Sequence, residues 1–182
     1  MATNLKIFIS GNPKSGKTTL VERLISEIGI NNFLGFYSKE VKDSKGKRIG
    51  FDIYYFYNNK LEVLPLARVD AKTKYKIGKY YVFLDNINKI SSEIIDILNS
   101  IVILKSKILV IDEIGRMELL SDKFRDLVRI ILNENIPLLA TVHRHHINIV
   151  PYYIWINRYN WWDVYKRVKS SIQKYLKNIT IK

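Results

Sequence analysis

Hydrophobic positions along this chain change period several times, and the changes divide it into elements. Leu5 to Ser10 is a short apolar run carrying Ile7 and Ile9, as expected of a buried strand, and Thr19 to Ile28 has helical spacing that Gly29 would end. From Phe33 to Val41, Arg48 to Tyr57 and Lys60 to Leu66 the residues turn aromatic and β-branched. Asp43-Ser44-Lys45-Gly46 and Asn58-Asn59 interrupt them as hairpin turns do. The segment 33–83 therefore reads as a β-rich, antiparallel excursion that closes with a strand from Tyr80 to Leu84. A helix is expected to start at Ser91 or Ser92 and to bury Ile94, Ile95, Leu98 and Ile101. Ile108 to Ile111 is a continuous apolar run, the mark of a strand covered on both faces. Ser121 to Asn133 reads as a capped amphipathic helix. Leu138 to Val142 and Tyr152 to Ile156 are further strands, and the last helix runs from about Trp161 to Lys177.

Strands alternating with helices predict an α/β fold with a mostly parallel sheet flanked by helices and an inserted β-rich hairpin region. At 182 residues the chain suits one domain, 1–182, and a monomer is the expectation. The absence of cysteine excludes disulfides, thiolate metal sites and cysteine nucleophiles. No apolar run approaches the roughly 18 residues of a membrane span, and the first strand starts too early for a signal peptide, so a cytoplasmic protein without a membrane partner is expected.

The chemistry begins between the first strand and the first helix. Gly11-Asn12-Pro13-Lys14-Ser15-Gly16-Lys17-Thr18 fits the phosphate-loop spacing G-x-x-x-x-G-K-[ST], and strand, loop and helix stand in the required order. Such a loop turns backbone N–H groups toward an anion at the positive end of a helix. Gly11 to Thr19 are accordingly the nucleotide-binding stretch. Lys17 is expected to reach the β- and γ-phosphates, and Thr18 to bind Mg²⁺.

Asp112-Glu113 closes the second buried strand, where an acid holds Mg²⁺ in phosphate-loop enzymes. Asp112 takes that role, and Glu113 is placed to accept a proton from an attacking water or to orient it. A further cation is expected from Arg116, Arg144 or Arg158, each near a strand end. His143, His145 and His146 are too few and too closely spaced for a zinc site, and His143 reads better as a group sensing the γ-phosphate.

The net charge is +13, spread along the chain instead of gathered in an arm. Such a field attracts nucleotides and nucleic acid alike. Lys72, Lys74, Lys76 and Lys79 alternate with Tyr75, Tyr80 and Tyr81, a mixture that can stack single-stranded bases but more often guards an edge strand. Nucleic acid is thus a partner the pattern allows without favouring.

Asp112-Glu113-Ile114-Gly115-Arg116-Met117-Glu118-Leu119 closely resembles the D-E-I-G-K-M-E-L block of the thermophile-type nucleoside-triphosphatase family, with Arg116 in place of the usual Lys. Gly35-Phe36, Glu40-Val41, Arg48 to Asp52, Leu66-Ala67, Ile77 to Tyr80 and Asn157-Arg158 resemble other segments of that family, in order. The resemblance implies a RecA-like phosphate-loop fold and Mg²⁺-dependent hydrolysis of ATP, GTP and other nucleoside triphosphates to diphosphate, with broad base specificity. It further implies that Glu113 activates water and that Arg158 contacts the nucleotide. Two other readings remain open: a kinase acting on a nucleotide, a nucleic-acid end or a small molecule, and a nucleic-acid-binding nucleotide switch.

Overall fold

The structure, a computed structural model, describes residues 5–99 and 107–180. Its frame is set by strands whose alternate side chains are buried on opposite faces. In β7 (Ile108–Ile114), Ile108 and Val110 join one apolar cluster while Leu109 and Ile111 join another. β1 (Lys6–Gly11) divides the same way, with Ile7 and Ile9 on one side and Phe8 on the other. A strand apolar on both faces needs cover on both, and helices supply it. α1 (Lys17–Ile28) and α4 (Trp161–Thr180) cover one face; α2 (Leu84–Leu98) and α3 (Asp122–Asn133) cover the other. Leu20, Val21, Leu24 and Ile25 form the buried stripe of α1, and each contributes roughly 1.5–3 kcal/mol by leaving water.

The remaining strands are β2 (Phe33–Lys42), β3 (Arg48–Tyr57), β4 (Lys60–Arg68), β5 (Tyr75–Ile77), β6 (Tyr80–Val82), β8 (Leu138–His143) and β9 (Ile154–Ile156). They form one sheet in the order β5-β6-β4-β3-β2-β7-β8-β1-β9. From β2 to β9 the neighbours are parallel, and from β2 to β5 they are antiparallel. The β-rich excursion is therefore an extension of the main sheet. β2 belongs to both halves, paired with β7 on one side and β3 on the other. Arg48 ties this extension together by donating to Glu40 at 2.7 Å and to the Tyr80 hydroxyl at 2.8 Å, and Arg68 pairs with Asp52.

Expected boundaries move in two places: the strand expected from Tyr152 begins only at Ile154, and the junction near residue 84 shifts. The strand expected from Tyr80 to Leu84 stops at Val82, and α2 begins at Leu84, well before Ser91. Its apolar stripe extends upstream through Ile87 and Ile90, and Asn86 donates to the Pro65 carbonyl at 2.8 Å, anchoring the first turn to β4. Ser91 is buried inside this helix instead of capping it, and Ile101 lies outside the described residues. Ser121 does cap α3, accepting from the Phe124 N–H at 3.0 Å and donating to Asn88 of α2 at 2.6 Å. β5 is one edge of the sheet, β9 the other, and the ammonium of Lys76 lies 4.8 Å from the Tyr81 ring centroid.

Gly35 lets β2 approach β7. Its φ is +125°, and a Cβ there would stand 2.0 Å from the Val110 carbonyl oxygen. Replacing Gly35 by Ala is expected to lower the unfolding free energy by at least about 2 kcal/mol, measured by chemical denaturation of both proteins.

Candidate active site

The loop from Gly11 to Gly16 leaves β1 and enters α1. Lys14 and Gly16 have positive φ, 64° and 89°, which curls the backbone before the helix starts. No side chain caps α1 and no acid occupies its first turn, so its leading N–H groups and dipole face whatever sits at the loop. The Ser15 hydroxyl is buried without a partner among the described residues, and a phosphate oxygen would supply one. Lys17 bends over the loop, its ammonium 3.2 Å from the Gly11 carbonyl oxygen and 3.4 Å from that of Asn12. Thr19 is exposed on the first turn of α1.

β8 lies between β1 and β7, so an acid on β7 must reach across a strand to meet the loop. Asp112 does so. The Thr18 hydroxyl donates to its Oδ2 at 2.6 Å, and the hydroxyl of Thr141, on β8, donates to its Oδ1. Pairing of β7 with β8 slips here: Ile111 faces Ala140 and Ile114 faces Val142, leaving Asp112 and Glu113 opposite Thr141 alone. Such a bulge redirects side chains next to functional sites. A hydroxyl and a carboxylate side by side are hard oxygen donors, the set that suits Mg²⁺.

Three acids share this neighbourhood. Burial raises the Asp112 carboxyl above the usual range, against the opposing pull of Thr141, Thr18 and Lys17. Glu113 is raised to about 7 by burial and then by the charge of Asp112. Glu118, 4 % exposed, is raised to about 8 by burial and then by Glu113. Both glutamates converge on Gly115, where a Cβ would stand 2.7 Å from Glu118 Oε2 and 3.1 Å from Glu113 Oε1. His143, beside Gly11 in the sheet, is held down at about 4 by burial and then by His145 and His146, so its ring is neutral near pH 7.

The three candidate arginines separate. Arg144 reaches the loop, donating to Asn12 Oδ1 at 3.3 Å. Arg116 is exposed, and its charge is felt at His146. Arg158 follows β9, its guanidinium 4.6 Å from the Tyr159 ring centroid. Sequence reasoning had overlooked Thr141, whose signal is a hydroxyl within the apolar Leu138 to Val142 run, and Trp161, whose indole N–H donates to the Gly16 carbonyl at 3.0 Å. It had also given no role to Glu118, although the acid block contains it. A cavity of about 470 Å³ lies elsewhere, between β3, β4 and α2, and is lined by none of these residues.

A sheet with a phosphate loop after one strand and an acid pair on another, flanked by helices on both faces, defines a P-loop NTPase. An NTPase family model matches residues 6–175, and the chain belongs to that family. The nucleoside-triphosphatase THEP1 of Saccharolobus solfataricus is 40 % identical over 142 residues, 77 % of each chain. The protein of the same name from Sulfurisphaera tokodaii is 40 % identical over 148 residues, 79 % of this chain and 80 % of its own. The crystal structure of THEP1 from the hyperthermophile Aquifex aeolicus superposes with a TM-score of 0.75 at 28 % identity, covering 93 % of this chain and 99 % of that one. A human cancer-related nucleoside triphosphatase shares the fold, with a TM-score of 0.66, 24 % identity, and coverage of 93 % and 98 %.

The raised glutamates set a pH dependence. Glu113 and Glu118 bind protons in the folded protein at pH values where the unfolded chain has released them, so stability is lost as pH rises toward and through about 7 and about 8. The metal-free protein is expected to lose about 2 kcal/mol of unfolding free energy between about pH 6.5 and about pH 9. Glu118→Gln should flatten that slope, read by denaturant titration at both pH values.

Proposed function

We propose that this protein hydrolyses nucleoside triphosphates to the diphosphate and phosphate with Mg²⁺, using Glu113 as the base and accepting a broad range of bases. The observation that carries the reading is the hydrogen bond from Thr18 to Asp112, which joins the phosphate loop to the acid strand across β8 and leaves Glu113 beside it. The relatives named nucleoside-triphosphatases support the reaction type.

Gly11 to Thr19 would cradle the phosphates through backbone N–H groups, with Lys17 neutralising charge on the β- and γ-oxygens. Thr18 and Asp112 would hold Mg²⁺, which when bound neutralises the phosphates and orients them for attack. Glu113, once deprotonated, takes a proton from water as the water oxygen forms a bond to the γ-phosphorus. The bond from that phosphorus to the β,γ-bridging oxygen breaks, and its electron pair stays on the diphosphate. Glu118, protonated beside it, holds a neutral carboxyl near the base and so limits repulsion within the acid cluster. Arg144, bonded to Asn12 of the loop, would meet charge that builds on the γ-phosphoryl group, and Arg158 would contact another part of the nucleotide.

Glu113→Gln is expected to retain nucleotide binding while lowering phosphate release by at least about 10²-fold, whereas Lys17→Ala should weaken binding itself. The check is a phosphate-release assay with ATP, GTP, CTP and UTP beside equilibrium binding of a non-hydrolysable analogue. Turnover at the wild-type rate in Glu113→Gln would remove this glutamate from the mechanism.

A further inference from the structure

Asn157-Arg158-Tyr159-Asn160, between β9 and α4, is fastened to the phosphate loop at both ends. Before it, Ile156 pairs with Gly11 so closely that a Cβ on Gly11 would lie 2.4 Å from the Ile156 carbonyl oxygen. After it, Trp161 bonds the Gly16 carbonyl, and a Cβ on Gly16 would lie 2.6 Å from the indole nitrogen. Within the segment the backbone is held by its asparagines. Asn157 Oδ1 accepts from the N–H of Tyr159 at 2.8 Å and of Asn160 at 3.1 Å, while Asn160 Oδ1 accepts from the Asn157 N–H at 2.8 Å. Asn160 Nδ2 donates to the Trp155 carbonyl at 2.9 Å.

On this fixed segment the Tyr159 side chain is 80 % exposed. A lone exposed tyrosine is ordinary on a protein surface; this one stands on backbone bonded at both ends to a nucleotide loop. The Arg158 guanidinium lies over its ring and donates to its hydroxyl, steadying one face while the exposure leaves the other to a ligand. β9 flanks β1 on the side away from β8 and β7. A nucleotide whose γ-phosphate points at Asp112 and Glu113 would therefore extend its nucleoside toward β9.

Building on the proposed triphosphate site, we infer that Tyr159, steadied by Arg158, is the stacking platform for the nucleobase and reads its π face instead of its hydrogen-bonding edge. Every base has such a face, so stacking binds purines and pyrimidines with little discrimination. The amide oxygens of Asn157 and Asn160 and the Asn160 amide nitrogen are committed to the segment itself, which withdraws them from reading a base edge.

Calorimetric binding of ADP, GDP, CDP, UDP and inorganic triphosphate, free of any dependence on hydrolysis, tests the platform. Tyr159→Ala is expected to weaken all four nucleotides by about tenfold and to leave inorganic triphosphate, which has no base, within about twofold. Tyr159→Phe keeps the ring and should bind nucleotides as the parent does. Unchanged nucleotide affinity in Tyr159→Ala would overturn the platform alone, as would an equal loss for inorganic triphosphate or a loss confined to one base. A parent protein that binds neither nucleotide nor inorganic triphosphate would overturn both the platform and the triphosphate reading beneath it.

Discussion

Asp112 is 1 % exposed, and a carboxylate so far from water is tolerable only where other groups hold it. Thr18 and Thr141 each give it a hydrogen bond, and they come from the first turn of α1 and from β8, the strand that separates Asp112 from the phosphate loop. Three parts of the chain far apart in sequence thus depend on one side chain. The bulge in β7 follows from the same demand, because a regular strand would turn alternate residues to opposite faces and part Asp112 from Glu113. Burial that would be costly in a structural acid fits the role proposed for Asp112 in holding a divalent cation.

Crowding extends the effect to Glu113 and Glu118. Each is deprived of water, and each feels its neighbour, so their proton affinities rise together. For the base proposed here, Glu113, a pKa near neutrality is better matched to taking a proton from water than the ordinary carboxylate value. Gly115 belongs to the same arrangement: with no Cβ, it leaves both carboxyls the space over its backbone.

The glycines of the phosphate loop act outward as well as inward. Gly11 admits the carbonyl of Ile156, and Gly16 admits the indole of Trp161, so the loop that cradles phosphate also docks the β9–α4 connection. Positive φ explains Gly16 by local backbone preference; close packing explains why neither position accepts even a methyl group. The antiparallel half of the sheet has a different character. It is joined by ion pairs such as Arg48 with Glu40 and Arg68 with Asp52, which accounts by structure for Glu40, Arg48 and Asp52 of the family-like segments.

Local signals survived into the fold wherever a short stretch carries its own physics. The phosphate loop was legible because glycine, lysine and threonine at that spacing have one main use, and the buried strands because period-2 burial on both faces needs continuous apolar runs. The acid pair was legible from its place after such a run. The start of α2 was not: a capping residue is a weaker force than an apolar stripe seeking cover, and the stripe began at Ile87. Nor could the strand order be read from the chain, since hydrogen bonding between β8 and both its neighbours depends on contacts between residues far apart in sequence. Amino-acid order alone thus determined the class of protein and pointed to the residues proposed to hold its ligand. Tertiary structure decided that Thr141 stands between the acid and the loop, that Glu118 backs Glu113, and that Tyr159 is held at the loop's far side, because each of those relations is a distance across the sheet or between its connecting segments.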